Sequence, residues 1–95
     1  MAIRITIDEK LRPGSTTLLV EGQLRLEEAG LLKDICARIL AETNRQMVIN
    51  LAGITFLDSD SAFLLIELKK QGAILEDLDF FIRRVIEWAE SQEVV

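Results

Sequence analysis

The sequence predicts a single α/β domain in which a mixed sheet of about four strands is flanked by about three helices. Segments with the two-residue period of strands alternate with segments that have the 3.6-residue period of helices, in the order β β α β α β α. The 95 residues, of which 49% are hydrophobic, suffice for one core and leave no room for a second. We therefore expect residues 1–95 to form one domain.

The first two strands are predicted to form an antiparallel hairpin over residues 3–24. Isoleucines alternate with polar residues in IRITI, residues 3–7, as in a half-buried strand. Pro13 and Gly14 favour a chain reversal, and TTLLVEGQL after them is typical of a second strand. The hairpin is expected to supply one edge of the sheet.

A change of period marks the next helix and strand. Between Leu26 and Glu42 one apolar stripe of an amphipathic helix comprises Leu31, Leu32, Ile35, Cys36, Ile39 and Leu40. The segment NRQ interrupts this stripe, and MVINL, residues 47–51, is the apolar run expected of a central strand buried on both faces. Strand–helix–strand connections predict parallel pairing for the later strands.

The second half of the chain predicts two more helices and a short strand. SAFLLIELKKQG is apolar nearly all round, as in a helix covered by its neighbours, and Gly72 is placed to end it. AILEDL, residues 73–78, predicts a last strand, and residues 92–95 are expected to fray. DFFIRRVIEWAES predicts a closing helix with Trp88 at the margin of a buried face that comprises Leu78, Phe81, Ile82, Val85, Ile86 and Ala89.

Charge and hydropathy exclude several classes of partner. The formal charge of −5, without any basic run longer than two residues, disfavours nucleic acid and anionic lipid. No apolar stretch is long enough to span a bilayer, and the charged opening MAIRITIDEKLR does not fit a signal peptide. We expect a cytoplasmic protein without membrane insertion.

Few side chains suit catalysis or metal binding. Cys36 is the only cysteine, which excludes an internal disulfide and the usual cysteine-based metal motifs. Its apolar neighbours predict a buried, inert thiol rather than a redox sensor. The chain has no histidine, the usual general base at neutral pH. We therefore expect no cofactor.

The segment DSDS, residues 58–61, has enzymatic and structural interpretations. In haloacid-dehalogenase-type phosphatases, a strand that ends in DxD presents two catalytic aspartates. That chemistry also needs a lysine and further carboxylates downstream, and only 35 residues follow Asp60 to supply them. No GxxxxGK loop is present, and a serine nucleophile would lack an activating histidine. We therefore expect that the protein is not an enzyme. Alternatively, Asp58 or Ser59 caps the helix that follows, where acidic residues also favour the helix dipole.

Together with LLVEGQL upstream, the segment MVINLAGITFLDSDSAFLLIELKKQGA resembles the STAS domain, the fold of bacterial anti-sigma factor antagonists. The resemblance runs from about Thr17 to Ala89 and implies a STAS-like fold and a non-enzymatic interaction function. In that family a kinase-like anti-sigma factor phosphorylates the second serine of a DSSG motif, and the phosphorylated antagonist releases its partner.

The resemblance places a partner-binding switch at DSDS. Asp58 matches the family's Asp, Ser59 its first Ser, Asp60 its phosphorylated Ser and Ser61 its Gly. Because Asp60 permanently carries about one negative charge, it imitates part of the phosphorylated state and accepts no phosphate from a serine kinase.

Two further departures from the family lie near the surface that its members use. Arg25 stands where an acid usually follows GxL, and Asn50 stands where an aspartate is usual. We include Arg25 with residues 58–61 in the predicted partner-binding site.

Three functions fit this resemblance. The first is an antagonist-like regulator of a kinase-like anti-sigma factor or a related signalling protein. The second is a cytoplasmic STAS subunit of an ABC-type phospholipid transporter that binds the transporter's ATPase. The third is an interaction or scaffold domain that is phosphorylated on Ser59 or Ser61. The sequence predicts no particular oligomeric state.

Overall fold

The chain folds in the order that the sequence predicts. The structure, a computed structural model, describes residues 3–92, so residues 93–95 of the predicted frayed tail lie outside the described part. The elements are β1 (Ile3–Asp8), β2 (Ser15–Leu24), α1 (Leu26–Thr43), β3 (Gln46–Leu57), α2 (Ser59–Lys70), β4 (Ile74–Glu76) and α3 (Phe80–Ser91).

The strands form one mixed sheet in the order β1-β2-β3-β4. β1 and β2 are antiparallel, whereas β3 is parallel to β2 and β4 is parallel to β3. The predicted turn between β1 and β2 forms as the Ser15 N–H donates to the Arg12 carbonyl at 3.2 Å, with Gly14 at a φ of +77° that favours glycine. The hairpin, its position at one edge of the sheet and the parallel pairing of the later strands are thus confirmed.

The core lies between one face of the sheet and the three helices. α2 occupies the centre of the helical layer, because it packs against both α1 and α3. Alternate residues of β2 and β3 meet the buried helix faces, as strand geometry requires. The largest side chains that this core encloses completely include Leu18, Ile49, Leu51, Leu65 and Ile82.

The opposite face of the sheet is buried in part, and the loop between β1 and β2 is bonded to β4. Arg12 in this loop forms an ion pair with Glu76 of β4, with Nη2 and Oε1 2.7 Å apart. The ion pair therefore links the β1–β2 loop to the strand at the opposite edge of the sheet. Thr17 and Val48, which pair across β2 and β3 on this face, are buried. The prediction of a strand buried on both faces is therefore right for the beginning of β3.

β3 is longer than predicted, at 12 residues instead of five. Its second half continues because Ile54 and Leu57 add buried side chains to the core. Two register shifts against β2 accompany this extension, and Gly22 at the second shift has a φ of +108°. Bulges of this kind increase the local twist and direct the end of a strand.

Three predicted core residues are exposed. Phe81 is 59% exposed, Leu31 is 47% exposed and Leu40 is 39% exposed. The reason is geometric: the apolar stripes of α1 and α3 are wider than the arc that the sheet and α2 cover. Trp88 is half-exposed, at the margin of the buried face, as predicted.

Cys36 is buried in the core, as its apolar neighbours predict. Burial raises the pKa of its thiol to about 11 through desolvation of the thiolate. The side chain is therefore a neutral thiol at physiological pH, and it packs as a small hydrophobic residue.

Candidate functional site

The DSDS segment lies at the edge of the sheet where β2 and β3 end and α1 and α2 begin. Since these two strands are parallel, their carboxyl ends and the helices that follow them share this edge. The Asp58 N–H donates to the carbonyl of Leu24 at 3.3 Å and so connects the ends of the two strands. The N-termini of α1 and α2 are thereby held next to each other.

Asp58 bonds to both helix N-termini. Its Oδ1 accepts the Ser61 N–H at 2.8 Å, which caps α2, and its Oδ2 accepts the N–H of Leu26, the first residue of α1, at 3.2 Å. N–H groups in the first turn of a helix have no acceptor within the helix, so each bond supplies a missing partner. The capping role predicted for Asp58 or Ser59 is confirmed for Asp58, whereas its bond to α1 was not predicted.

The pKa of Asp58 lies below its ordinary value. Partial burial, the strongest single influence, raises the pKa, but the bonds from Ser61 and Leu26 and the charge of Arg25 together outweigh burial and lower it. The Ser61 hydroxyl also favours the carboxylate, although it lies outside hydrogen-bond geometry. Asp58 is therefore ionised at neutral pH.

The protein should lose stability in acid as Asp58 becomes protonated. Because its pKa is lower in the folded than in the unfolded chain, its contribution is complete above about pH 4 and disappears as the pH falls through the folded-state pKa. We expect the free energies of unfolding of wild type and Asp58→Asn, measured by urea titration, to converge in the range from about pH 5 downward, through the folded-state pKa of Asp58. A difference that stays constant over this range would contradict this role.

The other three residues of DSDS have different environments. Ser59 and Asp60 are exposed in the first turn of α2. Ser61 is 0% exposed, and its hydroxyl has no hydrogen-bond partner among the described residues. A kinase can therefore reach Ser59 in the folded domain, but it can reach Ser61 only if the first turn of α2 opens.

Arg25, the fifth residue of the predicted site, lies near Asp58. It is the N-cap residue of α1, and its backbone N–H donates to Oε1 of Glu28 at 3.1 Å. Its guanidinium lies 4.4 Å from the centroid of the Phe56 ring, close enough for a cation–π interaction. The structure thus places an exposed positive charge near Asp58.

A shallow groove of about 530 Å³ adjoins the first turn of α2. Its lining is half apolar and half charged, and Leu26, one of the apolar residues, is 52% exposed. We call this surface the Asp60 groove; its lining residues are Leu26, Asp60, Phe63, Leu64, Glu67 and Lys70. The sequence did not reveal the part that Leu26 plays in it, because Leu26 and α2 meet only in the tertiary structure.

An aromatic contact extends the apolar surface from the Asp60 groove to α3. The rings of Phe63 and Trp88 are tilted by 54° with centroids 5.7 Å apart, a favourable arrangement for an aromatic pair. Trp88 is the only tryptophan of the chain. Its fluorescence should therefore respond when a ligand covers Phe63.

One solved structure with the same fold is that of an antisigma-factor antagonist, a STAS domain from Rhodobacter sphaeroides. The two structures superpose with a TM-score of 0.51 over 78% of this chain and 83% of the other, at 19% sequence identity. This chain has the STAS fold. The fold predicted from the resemblance is therefore confirmed.

The other comparisons add nothing to the STAS assignment. No family model matches the sequence, and no curated protein matches it. In the STAS-like structure, none of the helices within residues 3–92 has the length and apolar character needed to cross a membrane.

Proposed function

We propose that this STAS-like domain is a non-enzymatic interaction module of the cytoplasm. In this proposal it resembles an anti-sigma factor antagonist and binds a kinase-like anti-sigma factor or a related signalling protein through the Asp60 groove. Asp60 takes the place of the phosphorylated serine and gives the contact surface a permanent negative charge. Arg25 and Ser59 complete the polar rim of this surface.

The observation that carries this proposal is the position of Asp60. Its side chain is exposed at a groove whose lining combines the apolar side chains of Leu26, Phe63 and Leu64 with charged ones. Apolar centres with polar rims are common at protein interfaces. A fixed charge at such a rim selects partners and opposes acidic ones.

The geometry of Asp58 supports a binding function rather than the phosphatase alternative. Both carboxylate oxygens of Asp58 accept backbone N–H groups, from Ser61 and from Leu26. A nucleophilic aspartate needs an oxygen free to attack phosphorus, and using either oxygen would remove an acceptor from a helix N-terminus. We therefore assign Asp58 to the support of the site.

If a serine of this segment is modified, we propose Ser59. It is exposed in the first turn of α2, where the helix dipole favours a negative phosphate. The buried Ser61 has no space for a phosphate without unfolding of that turn. Phosphorylation at Ser59 would add a second charge beside Asp60 and weaken binding to an acidic partner further.

A pull-down from the host lysate tests the kind of partner. Wild type and Asp60→Ser would be used side by side, and bound proteins identified by mass spectrometry. Enrichment of a kinase-like ATPase, with different yields for the two forms, would support the proposal. A transport ATPase retained equally by both would instead favour a transporter subunit and contradict the role of Asp60.

Replacement of Asp60 by serine should strengthen binding to the purified kinase-like partner by about tenfold or more, because it removes a charge from a contact surface. Trp88 fluorescence titrations would measure the affinity, and labelled ATP would measure phosphorylation at position 60. We expect Asp60→Asn to bind as tightly as Asp60→Ser but to remain unphosphorylated.

The control variant is Asp34→Asn, which removes one charge from an exposed position eight residues further along α1 than Leu26. It should bind like wild type, since it leaves the Asp60 groove intact. Equal affinities of wild type, Asp60→Ser and Asp60→Asn would show that Asp60 does not imitate a phosphate.

A further inference from the structure

β1 offers a second surface on which a protein strand can pair. Within residues 3–92 it pairs only with β2, so its outer edge presents unpaired backbone N–H and C=O groups. The other edge of the sheet is formed by β4, which has only three residues, whereas β1 has six. Natural edge strands of this length commonly carry features that select or prevent pairing.

The sequence of β1, IRITID, is complementary to itself. In an antiparallel pair centred on Thr6, Arg4 of each copy lies opposite Asp8 of the other, and Ile5 lies opposite Ile7. Charged side chains then meet on one face and isoleucines on the other, as strand periodicity requires. The pair centred on Ile5 would place Arg4 opposite Thr6 and leave Asp8 without a cationic neighbour. Charge complementarity therefore selects the register centred on Thr6.

The charged groups are accessible for this pairing. Arg4 is 77% exposed on its side chain, and its only ion pair among the described residues is with Glu21, at 3.0 Å. Asp8 accepts the N–H groups of Lys10 and Leu11 through Oδ1, which leaves Oδ2 for Arg4 of a second copy. Each arginine would then lie between two carboxylates on the face of the joined sheets.

The apolar side of β1 is also incompletely covered. Ile7 is 49% exposed, and Leu31 of α1 is similarly accessible. A groove of about 320 Å³ follows the strand, lined by Ile3, Arg4, Ile5, Leu31 and Ile35. In the register centred on Thr6, Ile7 of the second copy lies beside Ile5 and so covers this groove.

We propose that two copies of this chain associate through antiparallel β1 strands, so that their sheets join into one. The contact obeys two-fold symmetry, with the same residues supplied by both copies. It is smaller than a standard protein interface, so the dimer is weak and reversible. The proposal does not rest on the proposed function, because β1 lies at the edge of the sheet and the Asp60 groove lies on α1 and α2.

Charge reversal tests the register by sedimentation equilibrium. Position 4 of each copy lies opposite position 8 of the other. A dimer of Arg4→Asp therefore places two aspartates opposite each other, and a dimer of Asp8→Lys places a lysine opposite an arginine. We expect wild type to dimerise and each variant alone to associate at least about tenfold more weakly. An equimolar mixture should recover dimers, because every charged pair in the mixed dimer is again opposite in sign.

Thermal unfolding followed by circular dichroism would show whether each variant is folded. This control is needed because Asp8 also stabilises the turn after β1. A monomeric wild type would overturn the proposal. So would variants that associate like wild type, or a mixture of folded variants that does not recover.

Cysteine cross-linking provides a second test that leaves Asp8 intact. In Thr6→Cys the two new side chains face each other with Cβ atoms about 4.5–5.5 Å apart, close to disulfide distance. The matched control is Arg4→Cys, whose two copies would lie four residues apart along the strand, or about 13 Å. The buried Cys36 keeps the background low, since burial raises the pKa of its thiol.

Oxidation should therefore produce a covalent dimer of Thr6→Cys and little of Arg4→Cys. Equal cross-linking of the two variants would refute the register centred on Thr6. Absence of a covalent dimer in Thr6→Cys, with the free thiol confirmed by labelling, would refute the pairing.

Discussion

Replacing Asp58 with alanine should lower the free energy of unfolding by about 2–3 kcal/mol, because two helix N-termini lose an acceptor and one lost cap costs about 0.5–2 kcal/mol. One carboxylate serves both the Ser61 N–H of α2 and the Leu26 N–H of α1. In a domain of this size the melting temperature should fall by roughly 10 °C or more. Thermal unfolding followed by circular dichroism measures this shift.

Matched variants separate this role from a general effect of removing charge. Asp60→Ala removes an exposed carboxylate from the same turn and should change stability by no more than about 0.5 kcal/mol. Asp58→Ser should lower the free energy of unfolding by about half as much as Asp58→Ala does. One hydroxyl can cap α2 but cannot also reach Leu26. If Asp58→Ala melts at the same temperature as Asp60→Ala, Asp58 does not connect the two helices.

Replacing Arg45 with alanine should destabilise the protein by about 3 kcal/mol, since hydrogen bonds of charged groups contribute about 1.5–3 kcal/mol each and the buried hydroxyl of Thr16 loses a partner. Its Nε donates to the hydroxyl of Thr16 at 3.1 Å, and its Nη2 donates to the carbonyls of Glu9 and Ser15. Thr16 is completely buried. Arg45 therefore fastens the segment before β3 to the start of β2 and to the loop after β1.

Arg45→Lys is the informative comparison for this prediction. Lysine keeps the charge but lacks the planar guanidinium that reaches three acceptors at once, so it should recover only a minor part of the stability. Arg38→Ala, at an exposed position on α1, should leave the urea midpoint nearly unchanged. A midpoint for Arg45→Ala within error of that for Arg38→Ala would show that these bonds contribute little.

Arg45 also illustrates where sequence reasoning stops. The segment NRQ is visible only as an interruption of a helical stripe, since nothing local distinguishes Arg45 from a solvated arginine. Its acceptors lie about 30 residues away along the chain, on a hairpin that packs beside it only after the sheet forms. Such long-range contacts have no periodic signature.

The candidate site was predictable in part. The capping role of Asp58 follows from residue preferences at helix starts, which are local and therefore readable. The bond from Asp58 to Leu26 depends on the parallel pairing of β2 and β3, which places two helix starts at one edge. Accessibility within DSDS was decided by the same packing, because it buried Ser61 and left Ser59 exposed.

The sequence by itself determined the order of strands and helices, the parallel pairing of the later strands and the buried, neutral state of Cys36. The element order and the burial of Cys36 follow from hydrophobic period and local residue preferences, and the parallel pairing follows from the helices that connect the strands. Only the tertiary structure decided which apolar residues stay at the surface, such as Leu26 and Phe81. The apolar stripes of the helices are broader than the surface that their neighbours cover, so packing decides which residues are buried. Packing also brought two separate helices together to form the Asp60 groove.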